Sequence, residues 1–549
     1  MSLHPQTDWT IPARTIDVAR AAFPKGNIYL KMRDHLGHLY EDAEFATLFR
    51  QDCGASAYSP AQLALVSVMQ FAEGLSDRQA ADAVRGRIDW KYALGLELTD
   101  TGFDYSLLSE FRQRLVSGER ALQLLDTMLS QFQGQGWLKG GGKGRTDSTR
   151  VLAATRHLNR LEVVGETLRH ALEVLAVVAG DWLKGQVTPE WFERYGTRIE
   201  ASRLPKEKSE QAQYFELVGE DGHQLLAAVY GADAPPYLAQ ISAVETLRRV
   251  WVQQYWIEVG KVMLRPPGEM PPASDLIQSP YDLEARNRTK RKTNWTGYTV
   301  QVSETCEPDL PHLITHIETT PATTADSNQT LVIHQALADK NLLPGEHFVD
   351  TAYVSAVNLY ESAEAGIDLV GPAPSDHSWQ ALEPDGLDLT QFSIDWTNQQ
   401  VTCPAGQVSQ QWQTSTLSDR IPVIKVKFDK ATCQACPLHS RCTRSPTHPR
   451  MLKFRSQPLH EALSQARQRQ STPEFQQRYR NRAGIEGTIS LACCHFDMRR
   501  SRYIGLAKTH LQNGLTAAAI NLSRMLNWLD SLPRAQTRVS HFARLALPQ

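Results

Sequence analysis

The sequence lacks a hydrophobic run long enough to cross a membrane. Its longest apolar stretches, such as residues 174–179, are much shorter than the ~20 residues that a membrane-spanning helix needs. Residues 1–8 also lack the basic stretch followed by an apolar run that marks a signal peptide. Cysteine is scarce, with 8 in 549 residues, and without an export signal clustered cysteines more often bind metal than form disulfides. We therefore expect a cytoplasmic protein without membrane contact.

Net charge is nearly absent as well. The formal charge is -2 at pH 7, so the total alone does not indicate nucleic-acid binding. The distribution does, because residues 441–508 carry 14 Lys and Arg against 4 Asp and Glu. Such a block is typical of a groove that binds a phosphate backbone, and it also occurs on solvated surfaces. The sequence leaves both interpretations open.

Helix-capping signals are abundant in the first 130 residues. Ser59 followed by Pro60 predicts a helix start, and Gly74 predicts where that helix ends. Ser76 and Gln79 have the spacing of a capping box for the next helix. This region is therefore predicted to be helical.

A further helix is predicted after Asp104, with its apolar residues on one side and Arg112 and Arg114 available to solvent. Short helices that expose arginine are suited to DNA binding. They are equally suited to an ordinary helical bundle, so the pattern alone does not decide.

The remaining chain changes pattern several times. A phosphate loop is excluded in the glycine-rich stretch, because Lys143 is followed by Gly144 rather than Ser or Thr. Helical periodicity from 158 to 264 interrupts strand-like segments, which resume after 281 and alternate with helices. This predicts an α/β fold with a mixed sheet flanked by helices. The predicted division is a helical N-terminal domain at 1–133, a linker at 134–144, a core formed by 145–155, 275–374 and 473–549, a helical insertion at 156–274 and a cysteine-containing insertion at 375–472.

Three carboxylates are candidates for one metal site. Asp147 and Asp350 are predicted at the ends of two strands, and they would lie side by side if those strands are neighbours. Glu486 is predicted on a helix, where Tyr479 and Arg482 fall within about 60° of it around the axis. Three acidic ligands suffice for two Mg²⁺ ions that activate a water or a 3′-hydroxyl. A lone Asp is more often a cap, and Arg482 with Glu486 has the spacing of a surface ion pair.

A second metal site is suggested by cysteine spacing. Cys403, Cys433, Cys436 and Cys442 include one Cys-x2-Cys pair and could hold a structural Zn²⁺. Their spacing is looser than in a standard zinc ribbon, so free or partly buried thiols remain the alternative. Cys53 and Cys306 are expected to be core cysteines.

Around Glu486 the chain resembles the DDE transposases of bacterial insertion sequences, in the branch with a Tyr-x2-Arg-x3-Glu-x6-Lys signature. Tyr479, Arg482 and Glu486 match that signature by position. Further segments that resemble the family are 74–78, 279–286, 295–298, 302–305, 371–372 and 500–508. The resemblance covers nearly the whole chain. It implies a ribonuclease-H-like core and an N-terminal region that binds terminal repeats.

The resemblance also implies roles for basic residues. Tyr479 and Arg482 would contact the DNA backbone near the scissile phosphate, the arginine through a bidentate contact. The signature lysine is replaced by Cys493, so its phosphate contact is missing here. Arg499 and Arg500 are the expected substitutes.

The function implied by the resemblance is cut-and-paste transposition. The expected partners are the terminal repeats and the target, both double-stranded DNA, and because two ends are joined we expect a dimer on DNA. Two alternatives stay open. One is a ribonuclease-H-like nuclease without strand transfer, and the other is an inactive, transposase-derived DNA-binding protein. The expected location is the cytoplasm, at the nucleoid.

Overall fold

The computed structural model describes residues 2–49, 54, 56–416, 422–534, 542 and 545, so Cys53 lies outside the described residues. Helices fill the first part of the chain, as predicted. They are α1 (Ala13–Ala22), α2 (Ile28–Leu36), α3 (Pro60–Glu73), α4 (Asp77–Gly86), α5 (Ile88–Leu94), α6 (Ser106–Ser117) and α7 (Gln123–Gly134). Among the described residues, none of the helices combines the length and the apolar composition that crossing a membrane requires.

The predicted caps are confirmed. The Ser59 hydroxyl accepts a hydrogen bond from the backbone N–H of Gln62, and α3 ends at Gly74 in the left-handed conformation, with φ of 70°. Ser76 and Gln79 form a reciprocal capping box at the start of α4. Local sequence therefore sets where these helices begin and end.

Strand β1 (Lys143–Leu152) follows, and it begins within the predicted linker. Gly134 is still the last residue of α7, and the Gly141 N–H donates to the carbonyl of Leu343 at 2.8 Å. Where the sequence predicts a flexible joint, the structure thus shows a segment packed against another part of the core.

The next segment has a hydrophobic cluster of its own, whose members lie between Leu158 and Ile277. Its elements are α8 (Arg160–Val178), α9 (Gly180–Lys184), α10 (Pro189–Tyr195), α11 (Lys208–Val229), α12 (Ser242–Gln254), β2 (Tyr255–Glu258) and β3 (Lys261–Leu264). The predicted helix up to residue 264 is wrong at its end. Val259 and Gly260 both adopt positive φ, which turns the chain into a hairpin instead.

The central sheet is completed by β4 (Arg286–Lys290), β5 (Thr293–Thr305), β6 (Ile314–Pro321), β7 (Glu346–Phe348) and β8 (Asp368–Val370), with α13 (Thr330–Asp339) and α14 (Ala356–Glu364) between them. The strand order is β4-β5-β1-β7-β8, and β6 also pairs with β5. Strand β1 runs antiparallel to β5 and parallel to β7. The predicted mixed sheet flanked by helices is confirmed.

A smaller unit with its own apolar cluster interrupts the core. It contains α15 (Trp379–Leu382), β9 (Ser393–Asp395), β10 (Gln400–Thr402), β11 (Gln411–Thr416), β12 (Pro422–Lys427), α16 (Lys430–Gln434), α17 (His439–Cys442) and β13 (Met451–Phe454). Helices α18 (Gln457–Arg469), α19 (Pro473–Tyr479), α20 (Gly484–Cys494) and α21 (Leu506–Leu529) follow.

Helix α21 unites the two ends of the chain. It packs on α3 and α7 from the N-terminal region and on β6 of the sheet. One hydrophobic cluster therefore extends from the first helices through the sheet into α21, and it includes Phe71, Val302 and Leu515. The N-terminal helices are part of the core that supports the sheet. The limits of the predicted domains stay predictions.

Candidate active site

A cleft of about 500 Å³ beside the central sheet is lined by charged side chains of both signs. Its acidic residues are Asp147, Asp326, Asp350 and Glu486, and its basic residues are Arg150, Arg288, Lys290, Arg291 and Arg482. The three carboxylates singled out from the sequence thus share one cleft, although up to 339 positions separate them along the chain.

The two aspartates meet where strand β7 ends. Asp147 is the fifth residue of β1 rather than its last, so its predicted position at a strand end is wrong. The parallel pairing of β1 with β7 stops at Arg145 and Phe348. Asp350 follows Phe348 by two residues and Asp147 follows Arg145 by two. Because the strands run in the same direction, both aspartates lie just beyond the last paired residues.

Asp350 has a second, structural task. Its carboxylate accepts a hydrogen bond from the backbone N–H of Ala352 at 2.8 Å and caps the short 3-10 helix Thr351–Tyr353. This hydrogen bond holds the side chain at the cleft. It uses only one of the two carboxylate oxygens.

Glu486 reaches the cleft from α20, which packs on β1. The Arg482 guanidinium donates to Glu486 at 2.7 Å and to Asp147 at 2.6 Å. The i,i+4 ion pair considered from the sequence is therefore present, and the same arginine also reaches the strand. Glu486 is 64% exposed while Asp147 is 15% exposed, so a charge at the surface is linked to a charge inside the cleft.

Burial raises the pKa of the Asp147 carboxyl, and the nearby carboxylates of Asp350 and Asp326 add to this effect, while Arg482 opposes it. Burial acts to lower the pKa of Arg482, but Asp147, Tyr479 and Glu486 outweigh it and raise that pKa. Arg482 thus holds two of these carboxylates, Asp147 and Glu486, close together.

The donor chemistry of the cleft fits Mg²⁺, which prefers carboxylate oxygens. Arg482, however, stands where a shared cation would bind Asp147 and Glu486. Within the described residues, no group of three or more His, Cys, Asp or Glu side chains is arranged to hold a metal ion. A cation can bind both carboxylates only if Arg482 moves away.

Tyr479 ends α19 beside this cleft. Its ring stacks on Phe475, with centroids 5.7 Å apart and planes inclined by 11°. Burial raises the pKa of the Tyr479 phenol, and Arg482 partly opposes this shift. The phenol is therefore half-buried, protonated at neutral pH and fixed in orientation.

Cys493, which replaces the signature lysine, and the nearby Arg499 both contact β1. Arg499 and Arg500 are exposed, and the Arg499 carbonyl accepts a hydrogen bond from the N–H of Leu152 at 2.8 Å. Cys493 is half-buried, with its sulfur 4.0 Å from the hydroxyl of Thr149. Burial raises the pKa of Cys493, and the charge of Arg499 opposes this. Arg499 therefore lies next to Cys493.

The prediction that Arg112 is available to solvent is wrong. Its side chain is 7% exposed, and it donates to Asp77 at the start of α4. Its guanidinium also lies 5.5 Å from the ring centroid of Tyr503. Arg114 is partly exposed and donates to the carbonyl of Leu48. Arg112 therefore connects helices of the core and does not face solvent.

Sequence reasoning placed Glu304 only within a family-like segment and missed its role as a buried carboxylate opposite Arg145 of β1. Its side chain is 0% exposed and pairs with Arg145 at 2.6 Å and Arg524 at 2.7 Å. It also accepts a hydrogen bond from the hydroxyl of Thr488, two residues after Glu486. These bonds connect β1, β5, α20 and α21. The available signal was a charged residue inside a strand that is otherwise buried.

Asp326 is the second carboxylate that sequence reasoning missed. It is buried, and it accepts a hydrogen bond from Gln301 at 3.2 Å while its other oxygen lies 3.4 Å from the ammonium of Lys290. It comes from a turn between β6 and α13, and no local motif marks it.

The four candidate zinc ligands line one small cavity of about 30 Å³. They are Cys403, Cys433, Cys436 and Cys442, and all are free thiols. Burial raises the pKa of Cys442 to about 11 and also raises that of Cys433. The predicted grouping in space is therefore present, although their arrangement is not that of a metal site among the described residues.

Two comparisons with protein families bear on this geometry. Residues 402–526 match a family described as Transposase DDE domain, and this segment contains Tyr479, Arg482 and Glu486. Residues 17–114 match a family described as Transposase domain (DUF772). No curated protein matches the chain. These two segments of the chain are therefore similar to transposase domains.

Proposed function

We propose that the chain is an active transposase that cleaves DNA at the ends of an insertion sequence and joins those ends to target DNA. The observation that carries this proposal is the meeting of Asp147, Asp350 and Glu486 in one cleft, from three distant parts of the chain. The two transposase family matches support it independently. The signature positions Tyr479 and Arg482 support the branch named above.

The sheet supports a ribonuclease-H-like catalytic core. Strand β1 has one antiparallel neighbour, β5, on one side and one parallel neighbour, β7, on the other. The two proposed catalytic aspartates follow the last paired residues of adjacent parallel strands. A site at the carboxyl end of parallel strands is common in open α/β sheets.

Asp147, Asp350 and Glu486 are the residues proposed to hold two Mg²⁺ ions. When bound, the ions would activate a water or a 3′-hydroxyl and stabilise the leaving oxygen. The protein's own contribution is to hold three carboxylates at fixed positions on β1, the turn after β7 and α20. Without cations, Arg482 neutralises part of their charge.

Arg482 and Tyr479 are proposed to position DNA. Arg482 offers several N–H donors in a fixed plane, and a phosphate oxygen in the cleft would compete for them with Asp147 and Glu486. Tyr479 presents a protonated phenol beside this guanidinium. Arg499, which lies next to Cys493, is proposed to supply the phosphate contact of the absent lysine, together with Arg500.

The experiment that tests the proposal supplies a target plasmid in Mg²⁺, together with element ends that are either pre-cut or uncut. Wild-type protein is expected to give joined product. Cleavage of uncut ends without joining would favour the nuclease, and binding without cleavage in Mg²⁺ or Mn²⁺ would favour the inactive DNA-binding protein.

Substitutions assign the residues. Asp147→Ala, Asp350→Ala and Glu486→Ala are each expected to bind element-end DNA and to lose cleavage. Glu364→Ala removes an exposed carboxylate outside the cleft and is expected to retain both activities. Cleavage by any one of the first three variants would remove that residue from the site.

Transposition also constrains assembly. Two element ends must be joined in a concerted manner, so we propose a dimer on DNA, at the nucleoid where its substrates are. Sedimentation of the protein with and without element-end DNA is expected to show dimers in the complex.

A further inference from the structure

The turn between β4 and β5 concentrates positive charge that the proposed function does not yet use. Five of the seven residues from 286 to 292 are Arg or Lys, and none is acidic. Strands β4 and β5 pair up to Lys290 and Thr293, so Arg291 and Lys292 form the tip of a two-residue hairpin. We call residues 288–292 the basic hairpin.

The basic hairpin lines the same cleft as the proposed catalytic carboxylates. Arg288, Lys290 and Arg291 contribute to its wall, and Glu486 and Arg482 belong to the same cleft but come from α20 and the segment before it. Sheet order places β4 at the edge next to β5, whereas Asp350 follows β7 on the other side of β1. A DNA strand that enters the cleft would therefore meet cations on the β4 side of the carboxylates.

The charges at the base of the hairpin are partly engaged within the protein. Arg288 donates to the carbonyls of Ala322 and Thr324 at 2.9 and 3.0 Å. Lys290 lies 3.4 Å from the buried carboxylate of Asp326. These bonds hold the arms of the hairpin against the loop after β6 and fix its direction.

The charges at the tip are free. Arg291 and Lys292 are exposed, and neither makes an ion pair or a side-chain hydrogen bond within the part of the chain that the structure describes. Two adjacent cations that the fold does not neutralise are available to an external anion.

The backbone at the tip gives a second indication. Arg291 has φ of 56°, in the left-handed region that Gly and Asn adopt at much lower cost. A hairpin selected only for its turn would favour one of those residues here. Arg291 therefore carries its charge at a position where its own backbone is strained.

We propose that the basic hairpin clamps the phosphate backbone of DNA against the catalytic cleft, with Arg291 and Lys292 as the contacting residues. This inference rests on the proposed function, because it names how that site holds its substrate. Contacts to phosphate carry no sequence information, so the clamp is expected to act on any DNA duplex.

The test compares the double variant Arg291→Gly/Lys292→Ala with wild type. Glycine relieves the strained φ, so the variant is expected to melt no lower than wild type although it binds DNA less tightly. A purely structural role for Arg291 predicts no change in DNA affinity. The matched control, Lys206→Ala/Lys208→Ala, removes two exposed lysines that are separated by one residue and lie outside the cleft.

Binding is measured by fluorescence anisotropy with a labelled random-sequence duplex, in EDTA and over a series of NaCl concentrations. The slope of log K against log salt is expected to fall in magnitude by about 1.8 for the double variant, since each phosphate contact contributes about 0.9. The control is expected to keep the wild-type slope. A wild-type slope for the hairpin variant overturns the clamp alone. Failure of wild type to bind any duplex overturns both the clamp and the proposed function.

Discussion

Replacing Gly484 by alanine tests how the proposed catalytic helix is seated on the sheet. A Cβ atom at Gly484 would overlap the guanidinium of Arg145. No side chain tolerates such contacts, so Arg145 has to move. It cannot move freely, because Glu304 binds it from one side and the Asn481 carbonyl from another.

The size of the effect follows from those partners. Breaking a buried ion pair by displacing one member costs about 3–5 kcal/mol. The gain from replacing glycine in a helix returns at most about 1 kcal/mol. A net loss of about 2–4 kcal/mol in the free energy of unfolding is therefore expected. The start of α20, the helix that carries Glu486, would shift with Arg145. The rate of DNA cleavage is therefore expected to fall too.

Gly487 supplies the matched control, because it lies in the same helix and no atom lies within 4 Å of a Cβ built there. Gly487→Ala is expected to raise stability by up to about 1 kcal/mol. Urea unfolding followed by circular dichroism measures both variants. Equal unfolding midpoints for the two would refute the role assigned to Arg145. If Gly487→Ala gains stability but loses DNA affinity, the open space at Gly487 is where DNA approaches.

Three further substitutions have defined outcomes. Glu304→Gln leaves Arg145 and Arg524 without a counter-charge, so a loss of about 3–5 kcal/mol is expected in urea unfolding, and wild-type stability would contradict the network. If the four cysteines hold Zn²⁺ as the sequence predicts, Cys433→Ser lowers the Zn²⁺ content of the purified protein, measured by native mass spectrometry, and equal metal content in both proteins would exclude the cysteine site. Cys493→Lys restores the signature cation beside β1. It is expected to strengthen DNA binding several-fold and to make it more salt-dependent, as anisotropy titrations would show. Unchanged affinity would indicate that Arg499 already supplies the contact.

The elements that sequence predicted best are those whose signals are local. Ser59, Gly74 and the Ser76–Gln79 pair set helix ends through bonds to their own neighbours. Such bonds depend on residues three or four positions apart, so a short window of sequence contains all the information.

Strand β1 shows why other elements were predicted only in part. Its residues from Arg145 to Thr149 are polar and do not resemble a buried strand. Pairing with β5 along its length and with β7 at its start stabilises it, and both partners lie more than 100 residues away. Asp147 and Asp350 were singled out because each lies at a strand-like run, and Glu486 because the family signature marks it, whereas Asp326 and Glu304 have partners that only the folded chain brings together.

Arg112 was misjudged for the same reason. Helical periodicity correctly places the apolar residues of α6 on one face. It cannot reveal that Asp77 and Tyr503 cover the other face from distant parts of the chain. Amphipathic pattern reports the polarity of a face, and only tertiary contacts decide whether that face reaches solvent.

The packing of α21 against both the first helices and the sheet has a consequence for the newly made chain. During synthesis α3 and α7 emerge from the ribosome long before α21. The apolar surface that they present to α21 therefore stays uncovered until a helix more than 350 residues further along has been made. Domains usually fold as they emerge, but this core is complete only when its last helix arrives. Until then Thr488, on the helix that bears Glu486, lacks its hydrogen bond from Arg524. The proposed catalytic centre would therefore be assembled at the end of translation, and partial chains would carry no organised site with which to cut DNA.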